Sequence, residues 1–343
     1  MREILTWVLL SFLTISILLV PYINFLYKIR FQRQRQKTVD IFEKRTPIFD
    51  KLHRHKVGTP VGGGLLVVAV VCFLSVVLIL ARLFFNLGIT SIYPFEKEIF
   101  ILLFTFLSFG LLGIYDDVRK TFGFTQQKFW GLRFRQKFVL QWILAFVISW
   151  MLYSLLGIHI VNVRFFEVFD IGFFYIPFAA FVIVSFANAL NITDGLDGLT
   201  SGLLLICLLA FLAISGKILD STLSVFLGLW IGSLIAFLYF NVWPARIWLG
   251  DVGALSFGAT LAVVGLLLGK VLALVVIGGI FVVEAASSLG QLLSKKFRGK
   301  KLIEVAPIHL YFQNKGWEES KVVVRFWLAG ALLAIIGLWL ALP

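Results

Sequence analysis

Cysteine is almost absent from this sequence, with two in 343 residues. Cys72 and Cys207 both lie in apolar runs, where a thiol behaves as a small hydrophobe, so a disulfide scaffold is excluded. Charge is scarce too: 14% of residues are charged and only 18 are acidic. A soluble domain carries about 25% charged and about 45–50% apolar residues; this chain is 60% apolar with a mean hydropathy of +0.98. A soluble single domain and a disordered chain are therefore both excluded. The four histidines, His53, His55, His159 and His309, are scattered, and neither cysteine has ligand spacing, which excludes a zinc site. There is no P-loop motif, no internal repeat and no low-complexity tract.

What is present is long apolar runs. A bilayer-spanning helix needs about 20 mostly apolar residues, and ten segments qualify: 4–27, 61–82, 98–115, 137–157, 172–190, 199–215, 221–240, 252–269, 271–289 and 324–342. The reading is an all-α, polytopic membrane protein, with residues 1–343 forming a single transmembrane domain. The first run lacks a small-residue cleavage site and is read as a retained helix. The basic residues choose the orientation. Twenty-five of the 31 lie in the odd-numbered loops, ten of them in 28–56. Basic loops stay in the cytoplasm, so both termini are expected outside. The net charge of +13 follows mainly from this rule, and it also suits anionic substrates.

The few carboxylates are the informative residues. Asp116 and Asp117 end the third run, Asp194 and Asp197 follow the fifth in Asn-Ile-Thr-Asp-Gly-Leu-Asp-Gly-Leu, and Asp251 follows the seventh in Trp-Leu-Gly-Asp-Val-Gly-Ala. Topology puts all five on the cytoplasmic face, and Glu284 lies in the ninth run near the same face. An Asp at a membrane helix centre costs roughly 2.5 to 3.5 kcal/mol. A single helix-end aspartate can simply cap or snorkel; five on three same-side loops read as a site. Hard oxygen ligands beside many lysines suit Mg²⁺, which takes one or two carboxylates plus substrate phosphates. That is the equipment of phosphoryl transfer. Gly62, Gly63 and Gly64, and the glycines flanking the aspartates, permit close backbone approach, although glycine also packs membrane helices.

These motifs together resemble the phospho-N-acetylmuramoyl-pentapeptide transferases, within the polyprenyl-phosphate N-acetylhexosamine-1-phosphate transferase superfamily. The elements are Lys56-Val-Gly-Thr-Pro60, Asp116-Asp117-Val-Arg-Lys120, Lys137-Phe-Val-Leu-Gln141 and Asn188-Ala-Leu-Asn-Ile-Thr-Asp-Gly-Leu-Asp-Gly198. They continue with Asn241 through Gly253, then Glu284, Ala306-Pro-Ile-His309 and Gly316 through Trp327. The resemblance implies transfer of phospho-MurNAc-pentapeptide from UDP to undecaprenyl phosphate in the bacterial inner membrane. Lipid I and UMP would be the products, with Mg²⁺ required, and a homodimer is suggested. It implies catalytic roles for Asp116, Asp117, Asp251 and His309, with Asp251 and Asn188 on the metal. Substrate binding would fall to Lys56, Thr59, Lys120, Lys128, Lys137, Asn188, Asn191, Asp194, Asp197 and Trp248. Asp197 would recognise uracil and Trp248 would stack on it. Nucleic acid is not an expected partner.

Two departures from the family pattern stand out. Three consecutive histidines are usual after Pro-Ile, where this chain reads His309-Leu310-Tyr311. The metal loop more often carries hydroxyl residues at the positions of Val252 and Ala254. These keep open a relative that uses another donor, such as UDP-GlcNAc, and a non-catalytic descendant. A transporter is disfavoured, because its sites lie near the midplane between repeats. Of the two conceivable routes, direct attack by the lipid phosphate is preferred to a phospho-aspartyl intermediate.

Overall fold

A computed structural model of the chain describes residues 2–32, 56–85, 90–122, 134–162 and 168–342. The described residues form twelve α-helices. These are α1 (Arg2–Lys28), α2 (Gly63–Phe85), α3 (Phe95–Phe122), α4 (Phe134–Leu156), α5 (Tyr175–Thr193), α6 (Leu199–Lys217) and α7 (Ser221–Asn241). After them come α8 (Gly250–Leu267), α9 (Val271–Ile277), α10 (Gly279–Arg298), α11 (Ile308–Asn314) and α12 (Glu319–Ala341). Nine of them are long and apolar enough to cross a membrane, or ten spans if α9 and α10 count as one. The chain is thus an all-α, multi-pass membrane protein. Lipid offers the backbone no hydrogen-bond partners, so each span closes its own hydrogen bonds as helix. A two-stranded antiparallel hairpin, β1 (Ile160–Asn162) with β2 (Val168–Asp170), links α4 to α5.

Helix α8 is the axis of the bundle. Of its membrane-spanning window 94% is buried, against 17% for α1. It is packed between α3 and α5, with α2 alongside. A helix apolar on every side belongs in the interior, and the glycines of α8 let its neighbours come close. A Cβ on Gly64 of α2 would collide with Gly253, and one on Gly113 of α3 would collide with the backbone of Asp251 and Val252. Aromatic packing holds the same helices midway. Phe106 of α3 lies 5.1 Å from Trp230 of α7 and 5.5 Å from Phe257 of α8, centroid to centroid, within the favoured range for ring pairs. By contrast α1 buries one stripe, Ser11, Ile15, Leu19, Ile23 and Leu26, against α7. Its other faces are exposed apolar surface, as lipid contact requires.

The ninth span departs from its expected form. In place of one helix over 271–289, α9 and α10 meet at an angle of 77°. Gly278 breaks the helix, with φ −83° and ψ 16°, and Phe186 lies where its side chain would be. Helix α10 also runs on to Arg298, and its buried stripe contains Glu284, Gln291 and Ser294. So polar a helix does not suit lipid on all sides. Two other boundaries move in ways that matter. Asp116 and Asp117 lie within α3, which continues to Phe122, and Asp251 sits in the first turn of α8.

Candidate active site

Three helix ends converge around Asp251. Its Oδ2 accepts a hydrogen bond from Lys120 Nζ at 2.8 Å and a very short one from Lys137 Nζ. Its Oδ1 accepts from the Asn191 amide at 3.2 Å. The same two lysines reach Asp116 Oδ2, each at 3.0 Å. Two carboxylates and two ammonium groups thus alternate around a small polar centre. Asp116 is 1% exposed, whereas the Lys120 side chain is 44% exposed, so the cluster opens to one side through Lys120. Asp117 turns the other way. Its oxygens accept the backbone N–H groups of Asp251 and Val252, each at 3.1 Å. It closes the N-terminus of α8 from a different helix. The first N–H groups of a helix lack internal acceptors, and a carboxylate there also meets the positive end of the dipole. Gly250, at φ +78°, makes the turn that brings the loop under Asp117.

A cleft of about 60 Å³ opens beside this centre, lined by Lys137, Phe138, Gln141, Asn188 and Asn191. Both amide hydrogens of Asn188 are engaged, by Gln141 Oε1 at 2.7 Å and by the Val184 carbonyl at 2.8 Å. That leaves the Asn188 oxygen as the end able to ligate. Asp194 caps α5, its N–H bonding the Leu190 carbonyl, and its carboxylate has no hydrogen-bond partner among the described residues. Burial, with the nearby carboxylates of Asp251 and Asp117, pushes its pKa up to about 7.

Asp197 belongs to a second, buried cluster. Its carboxylate accepts from Lys56 Nζ at 2.8 Å, Trp248 Nε1 at 3.1 Å and the Ala245 N–H at 2.9 Å. Glu319 completes the group, gripping Lys56 Nζ and the Asp197 N–H at 2.7 Å. Lys56, Asp197 and Glu319 are each at most 8% exposed. Unpaired buried charges would cost several kcal/mol each, which is why four chain segments meet here. Thr59 lies in the turn after Lys56, and this turn is tied to the α8 approach by Trp248 N–H to the Pro60 carbonyl at 2.9 Å.

His309, the second residue of α11, is held by Glu284 of α10. One Glu284 oxygen accepts the His309 backbone N–H at 3.1 Å and the other lies 2.8 Å from the ring Nδ1. The ring lies against Gly195, beside Asp194.

The expected site residues therefore fall into two linked clusters with His309 at their edge. Lys128 lies outside the described residues. Two groups that partner them were given no role from sequence, Gln141 beside Asn188 and Glu319 beside Lys56, while Asp117, expected as a catalytic residue, caps α8. Only their helix-end positions could have pointed to them. The departures from the family pattern also find their places. Leu310, Val252 and Ala254 are buried at 2% or less, so they face packing. Tyr311 instead packs on Phe312 at 5.8 Å, with Lys315 Nζ 5.4 Å above its ring. Among the described residues, no three His, Cys, Asp or Glu side chains are grouped as a protein-only metal cage. Lys120, Lys137 and Asn191 hold Asp251 through nitrogen donors, and the atoms able to ligate a metal are the oxygens of Asp251, Asp116 and Asn188. That set fits Mg²⁺ carried by one or two carboxylates and completed by phosphates.

The chain is also similar to known proteins along most of its length. A family profile described as Glycosyl transferase family 4 matches residues 99–269, which carry Asp116 through Asp251. A phospho-N-acetylmuramoyl-pentapeptide-transferase of Caldanaerobacter subterraneus subsp. tengcongensis is 36% identical over 289 residues, covering 84% of this chain and 86% of the relative. One of Bacillus pumilus is 32% identical over 341 residues, covering 99% and 98%. One of Rickettsia africae is 36% identical over 330 residues, covering 90% and 86%. With such identity along nearly its whole length, and the aspartates brought together by its helices, this chain belongs to the phospho-N-acetylmuramoyl-pentapeptide-transferase family.

Proposed function

We propose that the chain transfers phospho-MurNAc-pentapeptide from UDP-MurNAc-pentapeptide to undecaprenyl phosphate, forming lipid I and UMP, at the cytoplasmic face of a bacterial inner membrane. The observation that carries the reading is the convergence of Lys120, Lys137 and Asn191 on Asp251, with Asp116 sharing both lysines. It couples anion-binding cations to a carboxylate pair at the mouth of a membrane-embedded bundle. The excess of basic residues in the odd-numbered loops supports the cytoplasmic orientation.

The chemical difficulty is bringing one phosphate to another. A phosphate monoester has a second pKa of about 6, so the lipid phosphate is largely dianionic at neutral pH and needs little help from a base. Its obstacle is repulsion by the donor's diphosphate. Lys120 and Lys137 offset that repulsion in a site partly shielded from water, where charge interactions are stronger. Asp116 orients the acceptor end or receives its last proton. Asp251, with the Asn188 oxygen, would hold Mg²⁺, and the ion would supply positive charge to offset that of the phosphates. Asp117 keeps Asp251 in place through the backbone of α8.

The test is UMP release by the purified full chain in detergent, with both substrates, in Mg²⁺ or EDTA, beside Asp251→Ala. Metal-dependent release that the substitution abolishes supports the reading. Release from UDP-GlcNAc and not from the muramoyl donor would replace it with the sister reaction. A phosphorylated aspartate trapped with donor alone would overturn direct attack.

A further inference from the structure

We propose that Glu284 is a positioning residue that selects the tautomer of His309 and aims its Nε2 at the Asp194–Gly195 turn, where that nitrogen contacts the donor's diphosphate. The contact with diphosphate rests on the function proposed above; the tautomer assignment does not.

The argument starts from what Glu284 touches. It is fully buried, and its two oxygens serve one residue: the backbone N–H of His309 at 3.1 Å and the ring Nδ1 at 2.8 Å. An ionised carboxylate only accepts hydrogen bonds. A ring nitrogen facing it must therefore carry its hydrogen, which puts the proton on Nδ1. The other nitrogen is then fixed by geometry. His309 is 1% exposed, and its Nε2 has no hydrogen-bond partner.

The direction of Nε2 supplies the second observation. The nearest obstacle to a side chain at position 195 is Nε2 itself, 2.5 Å from where a Cβ would stand. Glycine at 195 leaves the ring room to lie against the turn. That turn carries Asp194, whose electrostatic neighbours are Asp251 and Asp117. The unpartnered nitrogen thus sits at the edge of the phosphate-handling cluster. When such a ring is protonated, Nε2 donates to an anionic oxygen while Nδ1–H stays on the carboxylate. Glu284 acts from 25 positions away, on a helix that the 77° bend turns out of the bundle direction.

The experiment uses the full chain in detergent with ¹⁵N-labelled histidine. Four histidines are present, and His309→Asn assigns the resonance of interest. The wild type is expected to show a hydrogen-bearing Nδ1, and added donor with Mg²⁺ to shift the Nε2 resonance. In Glu284→Gln, one of the two donors faces an amide NH2 group in place of an oxygen. The ring hydrogen is expected to move to Nε2, with kcat falling about 10- to 100-fold and the donor KM staying within about twofold. Glu284→Gln added to His309→Asn should cost little more than His309→Asn alone, as for residues acting as a unit. A merely structural role would give additive losses and leave the tautomer unchanged. Unaltered thermal unfolding of His309→Asn separates loss of function from loss of fold. A wild-type Nδ1 that carries no hydrogen, or an Nε2 resonance that donor leaves unmoved, overturns the proposal. Absence of UMP release in the wild type would instead sink the proposed reaction, while the tautomer would still decide the role of Glu284.

Discussion

Asp117 holds Asp251 by its backbone: the Asp117 carboxylate accepts the Asp251 N–H and, with its second oxygen, the Val252 N–H, both at 3.1 Å. The adjacent Asp116 points to the opposite partners, the lysines. Two neighbouring aspartates on one helix thus do different work, one holding the start of α8 and one facing the polar centre.

Asp117→Ala is accordingly expected to destabilise the protein by about 0.5–2 kcal/mol, the usual cost of losing a helix cap. It should lower UMP release by far more than that loss of stability explains. Thermal unfolding in detergent and the release assay, run on the same preparation, check both. Unchanged turnover would mean that Asp251 keeps its place without the cap.

Gly113→Ala tests the same placement by crowding. Its Cβ would fall on the backbone of Asp251 and Val252, and overpacking at a close helix contact costs about 1–3 kcal/mol. The expected result is a lower unfolding temperature together with weakened activity. A neutral outcome in both would show that α3 and α8 can separate at no cost.

Among the described residues, Lys56 is the one cation between Asp197 and Glu319. Lys56→Ala leaves both carboxylates buried without it, and breaking a buried pair costs about 3–5 kcal/mol. The variant should unfold well below wild type or fail to purify as a single species. Wild-type stability would mean that the cluster readily admits water.

Asp194 predicts a pH effect with a definite sign. Its folded pKa is about 7, raised by burial and by Asp251 and Asp117, against 3.8 for the free group. The folded state therefore holds the proton more tightly than the unfolded state. Between about pH 4 and pH 7 that contribution to stability is progressively lost as pH rises. In Mg²⁺-free buffer the wild type should lose stability over this window, and Asp194→Asn, which cannot titrate, should lose less. Unfolding temperatures of both proteins measured from pH 5 to pH 8 provide the comparison. Parallel curves would remove Asp194 as the cause.

Much of the fold could be read from sequence, because the rules that set it are local. A run of about 20 apolar residues must close its own hydrogen bonds in lipid, so the spans and their helical state follow from hydropathy alone. The ninth span escaped because a bend at one glycine and a polar buried stripe arise from what packs against it, here Phe186. The aspartates were legible as a group, since carboxylates are too costly near hydrocarbon to gather without a use.

Their separate roles were not legible. The residues that decide them lie far apart in the chain: Lys120 and Asp251 are separated by 131 positions, Lys56 and Glu319 by 263. Nothing local distinguishes Asp116 from Asp117, or marks Glu319 and Glu284 as the grips on Lys56 and His309. Sequence by itself determined that this is a ten-run membrane chain with aspartates gathered near its helix ends. Only the tertiary structure decided which carboxylate faces the lysines, which caps a helix and which is locked in a buried pair. A carboxylate's behaviour is set by the donors within about 3 Å of it, and chain folding alone brings those donors there.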